Sequence, residues 1–278
     1  MVPWLAKRYR SIDVTSLEGA RRLVPLGALL GAALALFGAG CRDWDRLSAE
    51  RDPACISVGP STCPEGALFC DGFESGLNPD WMDTQNNGAS LRHDAVCPYH
   101  GTESLHVTTS PLDVGGSAQA ALWRNQPAPA GAELYVRTFL YFKGPEPTEN
   151  EINLVAHMDP RGEFSATSVS LKTRGGYLLL TNHPAMTDAV SVERIVPTDR
   201  WICLEWRMRW STTDGTSVVW IDGAEVPAPL SPTENLEAPP PTIRTMVQLG
   251  PFNVGAPQGA LEAWFDEVAI STSRIGCD

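Results

Sequence analysis

The chain has seven cysteines, and their number and spacing give the clearest indication of chemistry in the sequence. No two of them form a Cys-x-x-Cys pair, the spacing typical of zinc sites, so pairing of thiols is the chemistry to consider. Six follow Cys41, and an even number of thiols in an exported chain predicts three disulfides, with buried free thiols as the alternative. Spacing alone does not choose among the pairings. The six are Cys55, Cys63, Cys70, Cys97, Cys203 and Cys277.

Cys41 ends a segment typical of bacterial export signals. A basic leader precedes an apolar run over residues 23–37, and three small residues separate that run from the thiol. We predict a lipoprotein-type signal over residues 1–40, with Cys41 acylated and Arg42 favouring the outer membrane. Gly38 stands where such signals usually carry leucine. A secreted form and an uncleaved anchor therefore stay open, and all three forms are extracytoplasmic.

Composition and length limit which classes of partner the protein can bind and how many domains it contains. The chain has 21 basic and 33 acidic residues, a net charge of -12, and this acidic balance disfavours binding to nucleic acid. Residues 41–66 are polar and contain prolines, which predicts a linker. The remaining length, residues 67–278, fits one large domain.

The elements that must position any site are strands. Residues 201–210 alternate strictly, with Ile202 and Leu204 on one face and Cys203 and Glu205 on the other. Asp-Gly pairs bound the following strand, and such pairs favour tight hairpin turns. No amphipathic helix follows the leader. Many short strands with Gly and Pro turns predict an all-β, two-sheet antiparallel sandwich.

Three segments make this prediction more specific. They are Phe73-Glu74-Ser75-Gly76 followed by Trp81, Val219-Trp220-Ile221-Asp222-Gly223 after a tryptophan-rich strand, and Phe265-Asp266-Glu267-Val268 in the last strand. In this order they resemble the concanavalin A-like, laminin-G-type jelly rolls over residues 67–278. Lectins, adhesins, hydrolases and lyases share that scaffold, so the resemblance implies a fold more than a function.

The resemblance also implies a metal site. The first and last strands of this superfamily are neighbours, which would bring Glu74 and Asp266 together at the edge of the domain. Two carboxylates with loop carbonyls suit a structural Ca²⁺, and we expect no other cofactor. The alternative is that Glu74 caps a turn and Asp266 accepts hydrogen bonds from nearby backbone N–H groups.

Within this scaffold we prefer two disulfide pairings. A Cys203–Cys277 bridge would hold the chain's end after the last strand, and a Cys70–Cys97 bridge would close the first one. A local Cys55–Cys63 bridge would hold the linker.

The concave sheet is where this fold usually meets glycans. Aromatic rings stack on sugars, while cations, carboxylates and imidazoles fix hydroxyl and carboxylate groups. The alternative is that the same side chains belong to the core. The residues expected on this face, with Phe139 beside them, are Tyr135, Arg137, Tyr141, His157, Lys172, Glu205 and Arg207.

A catalytic function requires a more specific set of residues than ligand binding does. Retaining glycoside hydrolysis needs two carboxylates about 5–5.5 Å apart. Glu149 and Glu151 lie in a predicted loop, and the adjacent Asp266 and Glu267 are predicted to face opposite ways. Residues 133–137 and 154–157 are faintly similar to two strands of alginate-type lyases. General-base chemistry by His157 or Tyr141 is thus the catalytic alternative. The other histidines, His93, His100, His106 and His183, are predicted to be solvated.

We therefore expect a surface-tethered, monomeric, extracytoplasmic jelly roll without catalytic residues. Its partner would be a polysaccharide or another extracellular ligand bound on the concave sheet. A polysaccharide lyase or glycoside hydrolase of the same fold is one alternative. A structural envelope or adhesion protein is the other.

Overall fold

Two antiparallel β-sheets make up the part of the chain that the structure, a computed structural model, describes. The described residues are 55, 57–144, 149–163, 167–231, 233–235 and 237–277, and they belong to one unit of the fold. The predicted signal, Cys41 and the first part of the linker lie outside them. Within these ranges, no helix has the length and apolar character needed to traverse a bilayer.

The strands follow one another with short turns. Their bounds are β1 Phe69–Asp71, β2 Met82–Asn86, β3 Ser90–Asp94, β4 Ser104–Thr109, β5 Gln119–Pro127, β6 Glu133–Phe142, β7 Ile152–Met158, β8 Ser168–Arg174, β9 Tyr177–Asn182, β10 Thr187–Arg194, β11 Trp201–Arg209, β12 Thr216–Ile221, β13 Ala224–Glu225, β14 Thr233–Glu234, β15 Thr242–Pro251 and β16 Leu261–Ser271.

The strands form a nine-stranded and a seven-stranded sheet. The first has the order β13-β12-β11-β6-β16-β4-β3, with β1 beside β16 and β14 beside β12. The second has the order β10-β9-β8-β7-β15-β5-β2. Strand β1 pairs with β16, so the first and last strands are neighbours, as the resemblance implied. The predicted all-β jelly-roll sandwich is confirmed.

The core lies between the two sheets. Leu204 and Trp206 reach it from β11, and Leu171 and Val247 reach it from the seven-stranded sheet. The predicted alternation of residues 201–210 is confirmed, since the odd-numbered residues of β11 lie on the opposite face. Burying each of these side chains contributes about 1.5–3 kcal/mol, so alternation specifies both register and packing.

A β-bulge interrupts β16. Its register against β6 shifts between Asp266 and Ala269, and Glu267 has a φ of 44°. Phe265 and Val268 are both in the core, so the two acidic residues between them both lie on the outer face. The prediction that Asp266 and Glu267 face opposite ways is wrong, because the bulge inserts one residue into the alternation.

The outer face of the nine-stranded sheet is covered by the chain's own segments. An N-terminal arm, residues 57–68, crosses it: the Val58 N–H donates to the Tyr99 carbonyl at 2.9 Å, and the Thr62 N–H donates to Glu267 Oε1 at 3.0 Å. From the other side a C-terminal tail, residues 272–277, lies against β11. There the backbone N–H of Ile275 donates to Glu205 Oε1 at 2.7 Å.

Disulfides hold both segments in place. The Cys203–Cys277 bridge ties the tail to β11 and confirms that predicted pairing. The predicted Cys70–Cys97 and Cys55–Cys63 pairings are wrong, since the bridges are Cys55–Cys97 and Cys63–Cys70. The reason is the path of the arm, which starts beside the loop after β3 and returns to β1.

Removing the Cys203–Cys277 bridge with serine at both positions should lower the free energy of unfolding by about 2–4 kcal/mol. The bridge closes a loop with a sequence separation of 74 residues, against 7 for Cys63–Cys70. The chain-entropy model then makes the long-range bridge worth about 2 kcal/mol more than the local one. Urea unfolding of the two double-serine variants measures the difference. An equal loss in both variants would contradict this account.

Candidate functional site

The predicted carbohydrate-binding residues do not share one face. Tyr135, Arg137 and Tyr141 alternate along β6 on the outer face of the nine-stranded sheet. Strand β11 adds Glu205 opposite Arg137, and Arg207 opposite Tyr135. The remaining two, His157 on β7 and Lys172 on β8, belong to the other sheet. The prediction of a shared face is wrong for these two, because the chain changes sheets between β6 and β7.

The group on the nine-stranded sheet is engaged by the protein itself. An Arg137 Nη donates to Glu267 Oε2 at 3.2 Å, and burial lowers the pKa of Arg137 even though Glu267 and Glu205 act to raise it. The Tyr135 hydroxyl donates to Glu133, and Tyr141 packs against the ring of Trp264.

The remaining two residues of this group also have internal partners. The Glu205 carboxylate accepts the backbone N–H groups of the tail, and an Arg207 Nη donates to Thr216 at 2.8 Å. Every residue predicted to bind carbohydrate on the nine-stranded face thus contacts another part of the protein and stabilises the fold.

The two predicted calcium ligands bind backbone groups of the loop between β3 and β4. Asp266 Oδ2 accepts the N–H groups of Tyr99 and His100, and Glu74 accepts the N–H and hydroxyl of Thr102. Burial raises the pKa of Asp266 to about 7, against the backbone hydrogen bonds that act to lower it. Among the described residues, no group of three or more His, Cys, Asp or Glu side chains is placed to hold a metal. Calcium binding stays a prediction.

His157 faces the interior between the sheets. Its ring lies 4.6 Å from that of Trp206, and its Nδ1 is 3.0 Å from the hydroxyl of Thr245. The side chain is 1% exposed, and this burial lowers the pKa of His157 to about 3. The imidazole is therefore neutral over the whole physiological range.

The outer face of the seven-stranded sheet carries a cluster of three amides around Gly250. A β-carbon placed on Gly250 would lie 3.5 Å from Gln248 Oε1, 3.6 Å from Gln119 Cγ and 3.7 Å from Asn153 Cβ. We call Gln119, Asn153 and Gln248 the amide cluster. The three side chains surround the glycine at ordinary contact distances, so Gly250 lies at the centre of the cluster.

The amide cluster has polar atoms without protein partners. Gln119 Nε2 donates to Gln248 Oε1 at 2.6 Å, and Asn153 Nδ2 donates to the Gly250 carbonyl at 2.8 Å. The second atom of each inner amide, Gln248 Nε2 and Asn153 Oδ1, is buried without a hydrogen bond. An unmade hydrogen bond at a buried group costs about 1–3 kcal/mol, so both atoms keep unused hydrogen-bonding capacity.

A cation lies beside this cluster. Lys172 pairs with Asn153 across β8 and β7, is 8% exposed, and donates to Glu151 Oε2 at 3.0 Å. Burial and the nearby Lys172 ammonium lower the pKa of His183. This imidazole therefore stays neutral to a lower pH than an ordinary histidine does. A neutral imidazole on the face that also carries Lys172 can accept a proton from a bound acidic group.

Further polar and aromatic groups extend the same face. The hydroxyl oxygens of Ser168 and Ser170 on β8 are buried without partners. Trp123 on β5 carries the Arg244 guanidinium 3.8 Å above its ring. The face therefore combines hydroxyls, amides, cations and a ring, which are the groups that bind polysaccharide.

Sequence reasoning missed most of this site. It predicted Lys172 but placed His183 among the solvated histidines and did not consider Gln248. A usable signal was present in β8, where Ser168, Ser170 and Lys172 alternate with apolar residues. That alternation indicates a strand with one polar face, although it does not indicate that the hydroxyls lack partners.

The fold and this polar face define a carbohydrate-related jelly-roll protein. The chain belongs to the polysaccharide lyase family, whose model matches residues 73–269. This family and the three disulfides indicate an extracellular protein. The concanavalin A-like part of the predicted resemblance is confirmed, and the narrower laminin-G type stays a prediction.

Solved structures agree with this fold. The cellulose induced protein Cip1 has a TM-score of 0.59 and 19% identity, and the match covers 76% of this chain and 100% of that one. An endo-β-1,4-glucuronan lyase from the fungus Trichoderma reesei has a TM-score of 0.57 and 15% identity, over 74% of this chain and 96% of that one. Identities this low show a shared fold alone. No match was found among curated proteins.

The burial of His157 predicts a pH-dependent stability. Its pKa falls from 6.5 to about 3 on folding, so the unfolded state binds more protons in this window and stability is lost on acidification below 6.5. The loss between pH 7 and pH 5 should be about 2 kcal/mol. Urea unfolding at the two pH values measures it.

His157→Gln should flatten this dependence, because glutamine carries no group that titrates in this window. An unaltered slope in His157→Gln would show that other groups carry the pH dependence.

Proposed function

We propose that this protein is a lyase that cleaves a uronate-containing polysaccharide on the outer face of its seven-stranded sheet. The observation that carries the proposal is the amide cluster, whose unpartnered Gln248 Nε2 lies on the same face as the buried Lys172. Membership of the polysaccharide lyase family supports the same reaction class.

The proposed reaction is β-elimination. Lys172 and the Gln248 amide bind the uronate carboxylate and reduce its charge, which acidifies the proton on the adjacent ring carbon. His183, neutral because its pKa is lowered, takes that proton. The electron pair forms a carbon–carbon double bond as the glycosidic C–O bond breaks, and the leaving oxygen takes a proton from the imidazolium or from water.

The proposal differs from our expectation of a protein without catalytic residues. Binding without cleavage remains the competing function, because Trp123 and the hydroxyls of β8 would serve it equally well. One experiment separates the two. The protein is incubated with glucuronan and with alginate, and both unsaturated, ultraviolet-absorbing ends and total reducing ends are followed.

Lys172→Met should reduce kcat/KM on the cleaved polysaccharide by about 100-fold, since it removes the charge that stabilises the developing anion. Arg174→Met is the matched control, because Arg174 lies on the same strand and also pairs with Glu151, at 3.6 Å, but is exposed. The control should stay within about threefold of the wild type. Equal losses in both variants would contradict a specific role for Lys172. If the wild-type protein binds the polysaccharide but produces no unsaturated ends, it is a binding protein and not a lyase.

Lipid anchoring is a second part of the proposal and rests on the sequence of residues 1–41. Expression in a bacterium with radiolabelled palmitate should label the protein, and Cys41→Ser should abolish that label because it removes the acylated thiol. A soluble, unlabelled wild-type product would show that the protein is secreted instead.

A further inference from the structure

A cavity of about 350 Å³ opens at one end of the sandwich. Met158, the last residue of β7, lines it and also belongs to the outer face of the seven-stranded sheet. Thr167 and Pro184, which flank Ser168 and His183, line it as well. The cavity is therefore continuous with the face that we propose binds the polysaccharide.

Two buried polar atoms without protein partners belong to residues that line this cavity. One is Nε2 of His157, a side chain whose other nitrogen is held by Thr245. The second is Oε1 of Glu237, which lies in the segment before β15. Each atom is kept from water without a hydrogen bond, which is unfavourable unless a ligand provides one.

The rest of the lining suits a ring with C–H faces. Trp210 lies beside His157 with ring centroids 5.6 Å apart, and Pro239 and Pro240 also line the cavity. Apolar surfaces with a few convergent polar groups are the usual design of a sugar site. We propose that this cavity is a subsite for an uncharged sugar ring, bound by hydroxyl contacts to His157 and Glu237.

The charges around the cavity favour an uncharged ring over a uronate. Glu237 would repel a carboxylate, and the Arg161 guanidinium is already held by both carboxylate oxygens of Asp159, at 3.0 and 2.6 Å. Burial keeps the His157 imidazole neutral, with a pKa of about 3.

The assignment of the ring to a polysaccharide rests on the proposed function. Together, the Lys172 site and this subsite describe a substrate in which an uncharged sugar unit lies along the chain from the uronate that is cleaved. A polymer composed of uronate alone, such as glucuronan or alginate, would still bind at the Lys172 site but would leave the cavity without its preferred occupant.

The test is a titration of the full chain with methyl glycosides. Glucoside, galactoside and mannoside are each compared with the corresponding uronide. The pH is about 8, well above the ordinary range of a carboxyl group, because burial raises the pKa of Glu237. Binding is followed by the NMR signals of the His157 imidazole and the Trp210 indole. At least one neutral glycoside should shift both signals saturably, and its uronide should bind at least about tenfold more weakly.

Glu237→Gln should bring the uronide to within about threefold of the neutral glycoside, because it removes the repelling charge. Glu234→Gln, at an exposed carboxylate on β14, is the matched control and should preserve the difference. The inference is overturned if no neutral glycoside shifts the two signals, or if the uronides bind the wild type equally well. The comparison of glycosides with uronides uses the wild-type protein alone, so it does not depend on whether a variant folds.

The outcome is separable from the lyase proposal. Lys172→Met should show the reduction of about 100-fold in kcat/KM and keep the glycoside titration. If the protein binds glycosides but cleaves no polymer, the lyase proposal is wrong and the subsite proposal stands. If the protein cleaves a polymer but its His157 and Trp210 signals do not respond, the subsite proposal is wrong and the lyase proposal stands.

Discussion

Strand β16 is the constraint on which the rest of the molecule depends. It pairs with β1, β4 and β6, so the middle of the nine-stranded sheet exists only when the end of the chain has been placed. Its bulge then directs Asp266 and Glu267 to one face. There they accept backbone N–H groups from the arm and from the loop between β3 and β4. A single inserted residue thus determines what can cover this sheet.

The two outer faces consequently have opposite characters. On the nine-stranded sheet the polar side chains are used internally: Arg137 binds Glu267, and Glu205 binds the tail. On the seven-stranded sheet, Gln248, Asn153 and Ser170 keep polar atoms without partners. Stability alone disfavours such atoms. The nine-stranded sheet also has some, at Arg137 Nε and Arg207 Nε, so the two faces differ in that the arm and the tail bind to one of them.

Sequence patterns predict the fold better than the site, for physical reasons. The alternation of β11 specifies which side chains enter the core, and Cys203 on its other face agrees with its bridge to Cys277. Patterns within one strand do not say which sheet the strand joins. The prediction therefore placed His157 beside Arg137, although the two residues lie in different sheets and His157 points into the core.

The bulge at Glu267 was also beyond reach, because a non-glycine residue with positive φ gives no reliable signal in the sequence. The site on the seven-stranded sheet depends on what the sequence cannot show. Asn153, Gly250 and Gln119 are far apart along the chain and meet only through register. The unmet hydrogen-bonding capacity of Gln248 and Ser170 is a property of the folded sheet.

The bridge just before the arm has a geometric consequence for access to the two sheets. The Cys55–Cys97 disulfide holds residue 55 on the nine-stranded sheet. The described part of the arm is therefore kept on the opposite side of the sandwich from the amide cluster. A long polymer could lie lengthwise over that cluster without meeting the arm.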